Sequence, residues 1–140
     1  MRLTIATIPS LLLALTLVAG CSGGSSTPPS IQVVPLTVQE ADTLIAANQG
    51  NPDFVILDVR TPGEFAAGHL EDAVNIDFNS GTFDTDVGAL DKSKTYLVHC
   101  AAGSRSAMAT ADMLAMGFGD LYDMVDGFSG WVTAGLPWVQ

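Results

Sequence analysis

The chain has little positive charge and little cysteine. Of its 140 residues only five are Lys or Arg, against fifteen Asp and Glu, so the formal net charge is -10. A nucleic-acid-binding protein presents clustered basic side chains, and we therefore expect neither DNA nor RNA as a partner. The two cysteines, Cys21 and Cys100, are too few for a disulfide scaffold and form no zinc-binding pair with each other or with histidine. We expect no bound metal ion.

Charged residues are few overall, at 14%, whereas 48% of the residues are hydrophobic. An intrinsically disordered chain shows the opposite balance, so the composition is that of a globular protein. A length of 140 residues is enough for one domain of ordinary size and too short for two. We therefore predict one compact domain.

The longest apolar run lies near the N-terminus, over Leu11–Ala19. Arg2 is the single basic residue before it, and Gly20 and Cys21 follow directly. This order is typical of a secretory signal peptide. The alternative, an uncleaved membrane helix, would need ~20 apolar residues, more than this run supplies. We predict that residues 1–20 are a cleaved signal peptide.

The residues around Cys21 resemble the lipobox of bacterial lipoproteins, here Val18-Ala19-Gly20-Cys21. The resemblance implies cleavage before Cys21 and a lipid anchor on it, including an acyl chain such as palmitate. Residues 21–30 would then be the lipidated cysteine and a flexible tether, and residues 31–140 the folded domain. Ser22, rather than an aspartate, follows the cysteine, which in enteric bacteria favours the periplasmic face of the outer membrane over the inner membrane.

From Ile31 onward, short apolar runs alternate with helical patterns, which indicates an α/β domain with a parallel sheet and helices on its faces. Thr37 and Thr61 each precede a glutamate by three residues, a capping-box pattern that opens a helix. The predicted strands are 31–36, 54–58, 73–76, 95–99 and 121–125. The predicted helices are 37–47, 61–67, 80–90, 104–116 (rich in Ala and Met, hence expected to be largely buried) and 128–134.

Cys100 stands at the carboxyl end of the predicted fourth strand, where ligands bind in open α/β sheets. Small residues leading into a helix turn their backbone N–H groups toward one point, and Gly103 permits a conformation that a side chain would penalise. Such a loop favours the thiolate, whose pKa falls below the free value of about 8.5, and makes Cys100 a nucleophile. The alternative is a buried, inert cysteine. The loop residues are Ala101, Ala102, Gly103, Ser104 and Arg105.

Arg105 is the charged member of this loop, and its guanidinium is suited to bidentate binding of an incoming oxyanion. Cleavage after residue 20 removes Arg2 and takes the net charge from -10 to -11. A domain with this charge repels anionic substrates at long range. We therefore expect capture of an oxyanion to depend on the loop and on Arg105.

A set of short motifs accompanies this loop along the domain. They are Asp58-Val59-Arg60 with Glu64-Phe65, Gly68-His69-Leu70, Ala73-Val74-Asn75, Gly117-Phe118, Asp126-Gly127-Phe128 and Trp131. Together with the six residues Cys100–Arg105, they resemble the signatures and the active-site loop of the rhodanese family of sulfurtransferases. The resemblance runs from about Ile31 to Gln140, and it departs from the family at Glu71-Asp72, where Pro-Gly is usual.

The resemblance implies a three-layer rhodanese-like fold with a central five-stranded parallel sheet. It also implies that the Cys100 thiolate takes a sulfane sulfur from thiosulfate or a similar donor, releases sulfite, and passes the sulfur of the resulting persulfide to cyanide or a thiol. Residues Ala101–Arg105 would bind the substrate, with Arg60 as a further candidate. We expect a monomer that uses no cofactor beyond the covalent persulfide.

Two alternatives stay open at this point. A Cys-based phosphatase or arsenate reductase also uses a loop between His-Cys and Arg-Ser, here His99-Cys100 and Arg105-Ser106, with Asp72 or Asp126 as a candidate acid. The loop disfavours it, because four residues separate Cys100 from Arg105 where those enzymes have five. A non-catalytic sulfur-carrier or partner-binding rhodanese module is the second alternative.

Several further residues have a structural interpretation. We expect Arg60 to pair with Glu64, a structural role favoured over contact with substrate. His69 is expected to form a hydrogen-bonded tie at a turn. Strand alternation predicts that His99 points away from the face that Cys100 uses. Trp131 and Trp138 are expected to be core or cover residues.

Overall fold

A computed structural model describes residues 32–140 of the chain. The predicted signal peptide, Cys21 and the predicted tether lie outside the described residues. Within residues 32–140, every helix is too short or too polar to cross a membrane.

The domain has one sheet of five parallel strands in the order β1-β5-β4-β2-β3. The strands are β1 (Val33–Leu36), β2 (Phe54–Asp58), β3 (Val74–Asn75), β4 (Thr95–His99) and β5 (Asp120–Met124). The helices are α1 (Val38–Ala47), α2 (Pro62–Ala67), α3 (Phe83–Gly88), α4 (Ser104–Ala115) and α5 (Gly127–Thr133). The α/β fold and the five-stranded parallel sheet are confirmed.

Most boundaries lie within one or two residues of those predicted from the sequence patterns. The prediction for α3 was too long, because the region 80–90 begins with a bend at Ser80 and Gly81 before the helix starts at Phe83, and the helix ends at Gly88. Only the central pair Val74 and Asn75 of the predicted third strand joins the sheet, opposite the end of β2.

Two hydrophobic cores lie on opposite faces of the sheet. Successive residues of a strand point to opposite faces, so Leu57 and Val98 join one core while Ile56 and Leu97 join the other. Helices α3 and α4 cover the first core, and α1 and α5 cover the second. This three-layer arrangement places the carboxyl ends of β2, β4 and β5 at one edge, where the chain turns into α2, α4 and α5.

Helix α4 buries one face instead of being largely buried as its composition predicted. Its buried residues are Ser106, Ala109, Thr110 and Met113, whereas Met108 is 50% exposed. Alanine carries little apolar surface, so an alanine-rich helix can leave one side in water at small cost. The Ala and Met content therefore did not indicate burial.

Capping boxes begin α1 and α2, as predicted. In α2 the Thr61 side chain accepts from the Glu64 N–H, and the Glu64 carboxylate accepts from the Thr61 N–H. Thr37 and Glu40 do the same for α1. Two otherwise unpaired backbone donors are satisfied at each helix start.

The departure from the family at Glu71-Asp72 has a conformational counterpart. Asp72 has φ 61, in the left-handed region that glycine adopts most easily. Aspartate is one of the few other residues that tolerates this region, because its short side chain can hydrogen-bond locally. The turn therefore contains a left-handed residue that is not a glycine.

Candidate active site

Cys100 follows the last residue of β4, and the loop from Cys100 to Arg105 leads directly into α4. The Cys100 side chain is 1% exposed and lies in the core on the α4 face of the sheet. The backbone N–H of Gly103 donates a hydrogen bond to Cys100 Sγ at 3.1 Å. The sulfur therefore lies beneath a backbone donor, as the sequence predicted for a tight loop of small residues.

Gly103 is required by the shape of the loop. Its φ is +92, and a Cβ at this position would lie 2.1 Å from the carbonyl oxygen of Val125. Any other residue would combine an unfavourable backbone conformation with a steric clash against backbone atoms. The close approach of the loop to the end of β5 therefore depends on the absence of a side chain here.

The start of α5 holds the other side of the loop. The N–H groups of Phe128 and Ser129 donate to the carbonyl oxygens of Cys100 and Ala101 at 2.8 and 2.9 Å. Gly127 permits this contact, because its Cβ would lie 2.5 Å from the Ala101 oxygen. These two bonds fix the loop with its carbonyl groups toward α5. Its N–H groups can then face the Cys100 sulfur, as that of Gly103 does.

The pKa of the Cys100 thiol is lowered by this surrounding. Burial raises the pKa, but the backbone and hydroxyl of Ser106 and the backbone N–H groups of Ala102 and Gly103, of which Gly103 lies at hydrogen-bond distance, outweigh that effect. Each of these donors is stronger toward a thiolate than toward a thiol. A larger fraction of Cys100 is therefore a nucleophilic thiolate at neutral pH than for an ordinary cysteine.

Arg105 forms a two-pronged ion pair with Glu64 of α2. Its Nη1 and Nη2 donate to Glu64 Oε2 and Oε1, both at 2.8 Å. The hydrogen bond from Arg105 lowers the pKa of Glu64 to about 2, and the same contact raises the pKa of Arg105. The nearby Cys100 and Asp77 raise the pKa of Arg105 further. The Arg105 guanidinium, which was predicted to bind an oxyanion, thus binds a carboxylate of the protein.

Arg60 does not pair with Glu64, and that prediction was wrong. Arg60 binds Asp58 instead, with Nη2 2.6 Å from Oδ2, and Nη2 also donates to the carbonyl oxygen of Gly68 at 2.7 Å. Its guanidinium lies 4.1 Å from the centre of the Phe128 ring and the side chain is 4% exposed. Arg60 lies in a bend between β2 and α2, and its side chain turns back to the end of β2.

Both histidines fit their predicted structural interpretations. His99 is buried on the face opposite Cys100 and stacks near Phe128, and burial lowers its pKa. Its Nε2 lies 3.7 Å from Asp58 Oδ2. His69 Nδ1 lies 3.0 Å from the carbonyl oxygen of Phe65, and the two rings stack at 3.8 Å. Neither geometry places an imidazole at the sulfur.

The two tryptophans lie on the α5 side of the sheet. Trp131 is 3% exposed and donates to the Pro137 carbonyl oxygen at 2.8 Å, so it is a core residue. Trp138 packs against Phe128 and over Gly68, with 41% of its surface exposed, and is a cover residue.

Sequence reasoning left three residues out of the site. Ser106 is fully buried, its hydroxyl donates to the Gly103 carbonyl oxygen at 3.1 Å, and it helps to lower the pKa of Cys100; it had entered only the comparison with phosphatases. Glu64 and Asp77 surround Arg105 and come from distant parts of the chain. The Glu64-Phe65 motif was the available signal for Glu64, while no sequence signal pointed to Asp77.

Comparison with known proteins identifies the family. The profile of the Rhodanese-like domain family matches residues 38–134, which include every element from α1 to α5. The chain belongs to the rhodanese-like family. The family match and the parallel sheet support a rhodanese-type sulfurtransferase.

Similar proteins agree with this assignment. The chain is 36% identical over 91 residues to thiosulfate sulfurtransferase 16 of Arabidopsis thaliana, covering 58% of this chain and 76% of that protein. It is 30% identical to thiosulfate sulfurtransferase 18 of the same plant, covering 81% and 88%. The crystal structure of a rhodanese-related protein from Thermoplasma volcanium superposes with a TM-score of 0.63 at 25% identity, covering 76% of this chain and 97% of that one.

Proposed function

We propose that this rhodanese moves a sulfane sulfur from thiosulfate or a similar donor to cyanide or a thiol through a persulfide on Cys100. The observation that supports this most directly is the Cys100 sulfur at the carboxyl end of β4, with a lowered pKa and a hydrogen bond from Gly103. A thiolate held in place by backbone donors is the nucleophile that the reaction needs.

In the first half-reaction the Cys100 thiolate attacks the outer sulfur of the donor. A new S–S bond forms, the donor S–S or S–sulfonate bond breaks, and its electron pair leaves with sulfite or a thiolate. The product is a Cys100 persulfide. The N–H groups that face Sγ, among them those of Ala102 and Gly103, are placed to stabilise the negative charge that moves to the outer sulfur.

In the second half-reaction a thiophilic acceptor takes this outer sulfur. Cyanide or a thiolate attacks it, the S–S bond of the persulfide breaks, and the electron pair returns to Cys100 Sγ. The donors that lower the pKa of Cys100 make its thiolate a better leaving group. The site is thereby restored without any cofactor.

The test is the mass of the purified protein after incubation with thiosulfate under non-reducing conditions. We expect the gain of one sulfur atom, lost on addition of cyanide as thiocyanate appears. The Cys100→Ser variant should gain nothing, and the Cys21→Ser variant should load normally. Loading that survives in Cys100→Ser would refute the proposed nucleophile.

A sulfur-carrier role predicts a different result in the same experiment. A carrier loaded only by a protein donor would gain no sulfur from thiosulfate. It would gain sulfur from a persulfidated protein donor, with the label again on Cys100. Hydrolysis of an aryl phosphate without sulfur loading would instead favour the phosphatase alternative, which the four-residue spacing between Cys100 and Arg105 disfavours.

We also propose that Cys21 carries a lipid anchor that holds the domain at the periplasmic face of the outer membrane. The support is the order of Val18-Ala19-Gly20-Cys21 after an apolar run. In a bacterial host, the protein should incorporate labelled palmitate and sediment with outer membranes. The Cys21→Ser variant should do neither; incorporation of label by that variant would overturn the proposal.

A further inference from the structure

We propose that the sulfur donor of this site is an organic persulfide whose carrier bears no anionic group, in preference to thiosulfate. This inference rests on the proposed transfer through Cys100 and names its substrate class. The observation behind it is the placement of the basic side chains, which leaves the mouth of the site without an unpaired cation among the described residues.

Two of the four basic residues within positions 32–140 lie at the edge of the sheet away from Cys100. Lys92 and Lys94 precede β4, and their ammonium groups donate to the carbonyl oxygens of Met116 and Pro52, both at 2.8 Å. Cys100 follows the other end of that strand. Exposed charges a full strand apart are largely screened at physiological ionic strength, where the Debye length is about 8 Å.

The other two basic residues lie at the site, and each is neutralised by a carboxylate of the protein. Arg60 is 4% exposed and bound by Asp58 with contacts of 2.6 to 3.0 Å. Arg105 is bound through both terminal nitrogens by Glu64, which keeps its charge at all physiological pH because its pKa is about 2. Neither guanidinium is free to supply net positive charge to an incoming dianion.

The remaining charges at the mouth are negative. Asp77 lies close enough to Arg105 to raise its pKa, as does Cys100 itself. Arg105 supplies one positive charge. Three negative charges lie near it, on the carboxylates of Glu64 and Asp77 and on the Cys100 thiolate. Thiosulfate carries two negative charges and would meet repulsion as well as the cost of losing its hydration. A donor without charge avoids both costs.

The rim of the loop suits a carbon carrier. Ala101 and Ala102 present methyl groups, and Val125, which contacts the loop at Gly103, is 40% exposed. Apolar surface of this kind gains from covering the carbon atoms of an organic donor and gains little from a sulfonate. Charge and surface therefore favour the same class of donor.

The chemistry balances without a further reactant. The Cys100 thiolate attacks the outer sulfur of R–S–SH, the donor S–S bond breaks, and R–S⁻ leaves with the electron pair. The proton then passes from the new Cys100–S–SH to R–S⁻, which gives the persulfide anion and the thiol R–SH. No net oxidation occurs.

The test compares three persulfides of similar size, made from sulfide and the disulfides of cysteamine, 2-mercaptoethanol and 2-mercaptoethanesulfonate. The organic part of the persulfide is positively charged, neutral and negatively charged, respectively. We measure the rate of sulfur gain on Cys100 by intact mass, with thiosulfate in parallel and with sulfide alone as a blank. We expect the first two to load at least about tenfold faster than the sulfonate carrier and thiosulfate, and the difference to shrink with added salt.

Two variants of equal charge change locate the cause. Asp77→Asn should raise the rate with thiosulfate and with the sulfonate carrier severalfold and leave the neutral carrier almost unchanged. Asp120→Asn removes the same charge at the start of β5, on the edge opposite the site, and should change none of the rates appreciably.

The outcomes separate this inference from the function it rests on. Thiosulfate or the sulfonate carrier loading as fast as the neutral carrier would overturn the donor class while sulfur transfer stands. Equal effects of Asp77→Asn and Asp120→Asn would overturn the local cause. Failure of every donor to load Cys100 would refute the proposed transfer itself.

Discussion

Helices α2 and α4 begin at the same edge of the sheet, after the neighbouring strands β2 and β4, yet their first turns differ. Thr61 and Glu64 close the N-terminus of α2 with a capping box. Among residues 32–140, α4 has no such side-chain cap; it begins after Gly103 in a left-handed conformation. Its free N–H groups face Cys100 instead. The N-terminal N–H groups of α2 are bonded by its own side chains, whereas those at the start of α4 are available to the Cys100 sulfur.

Glu64 connects the two helix starts. Its Oε2 accepts from the Thr61 backbone and hydroxyl and from Arg105 Nη1, and its Oε1 accepts from Arg105 Nη2 in the first turn of α4. A cap residue is usually replaceable at a cost of about 1 kcal/mol. Here the cap residue Glu64 also positions Arg105 of the active-site loop. The capped start of α2 therefore supports the uncapped start of α4.

Gly103→Ala should have the largest effect on sulfur loading, because it displaces the loop at the uncapped start of α4. The Cβ would meet the Val125 carbonyl oxygen at 2.1 Å, so the loop must move, and a misplacement of about 1 Å can cost roughly a hundredfold in rate. We expect sulfur loading of Cys100 to fall by about that factor, measured by intact mass against time.

Gly117→Ala is the matched control for this change. Gly117 has the same φ of +92, but a Cβ there would meet no atom of the described residues within 4 Å. It should lose about 1 to 2 kcal/mol of stability from backbone strain alone and keep its loading rate. Equal loading by the two variants would show that the shape of the loop does not matter.

A second pair of variants compares the two capping boxes. Thr61→Ala and Thr37→Ala should each lower the free energy of unfolding by about 1 kcal/mol in urea titrations. Only Thr61→Ala should slow sulfur loading, by about threefold, because it removes both hydrogen bonds of the Thr61 hydroxyl to Glu64, one to the carboxylate and one from the backbone N–H. A similar loss of activity in Thr37→Ala would contradict the link between α2 and the loop.

The smallest expected effect is on acid stability. The folded pKa of Glu64 is about 2, below the ordinary value of 4.5, so its ionised form stabilises the fold. That contribution is complete above pH 4.5 and is lost as the pH falls toward 2. The stability difference between wild type and Glu64→Gln should therefore shrink over this range. It should be small, since the carboxylate is partly exposed and screened.

The two helix starts also show what the sequence could predict. The capping boxes and the Cys100 loop lie within four to six consecutive residues, so their patterns indicate their structure directly. The partners of the arginines do not. Glu64 and Arg105 are 41 positions apart, and the choice of Asp58 by Arg60 depends on where β2 ends. The Glu64–Arg105 pairing is decided by the packing of distant elements and leaves no local pattern, whereas Asp58 and Arg60 are only two positions apart and it is the end of β2 that brings them together.

The pairing of β1 with β5 has a consequence for how the molecule is made. Val33 pairs with Leu121, so the first strand of the domain can join the sheet only once the last strand is present. A chain emerging from a ribosome exposes β1 long before its partner exists, and such non-local contacts slow folding. The sheet can close only after β5 has been synthesised.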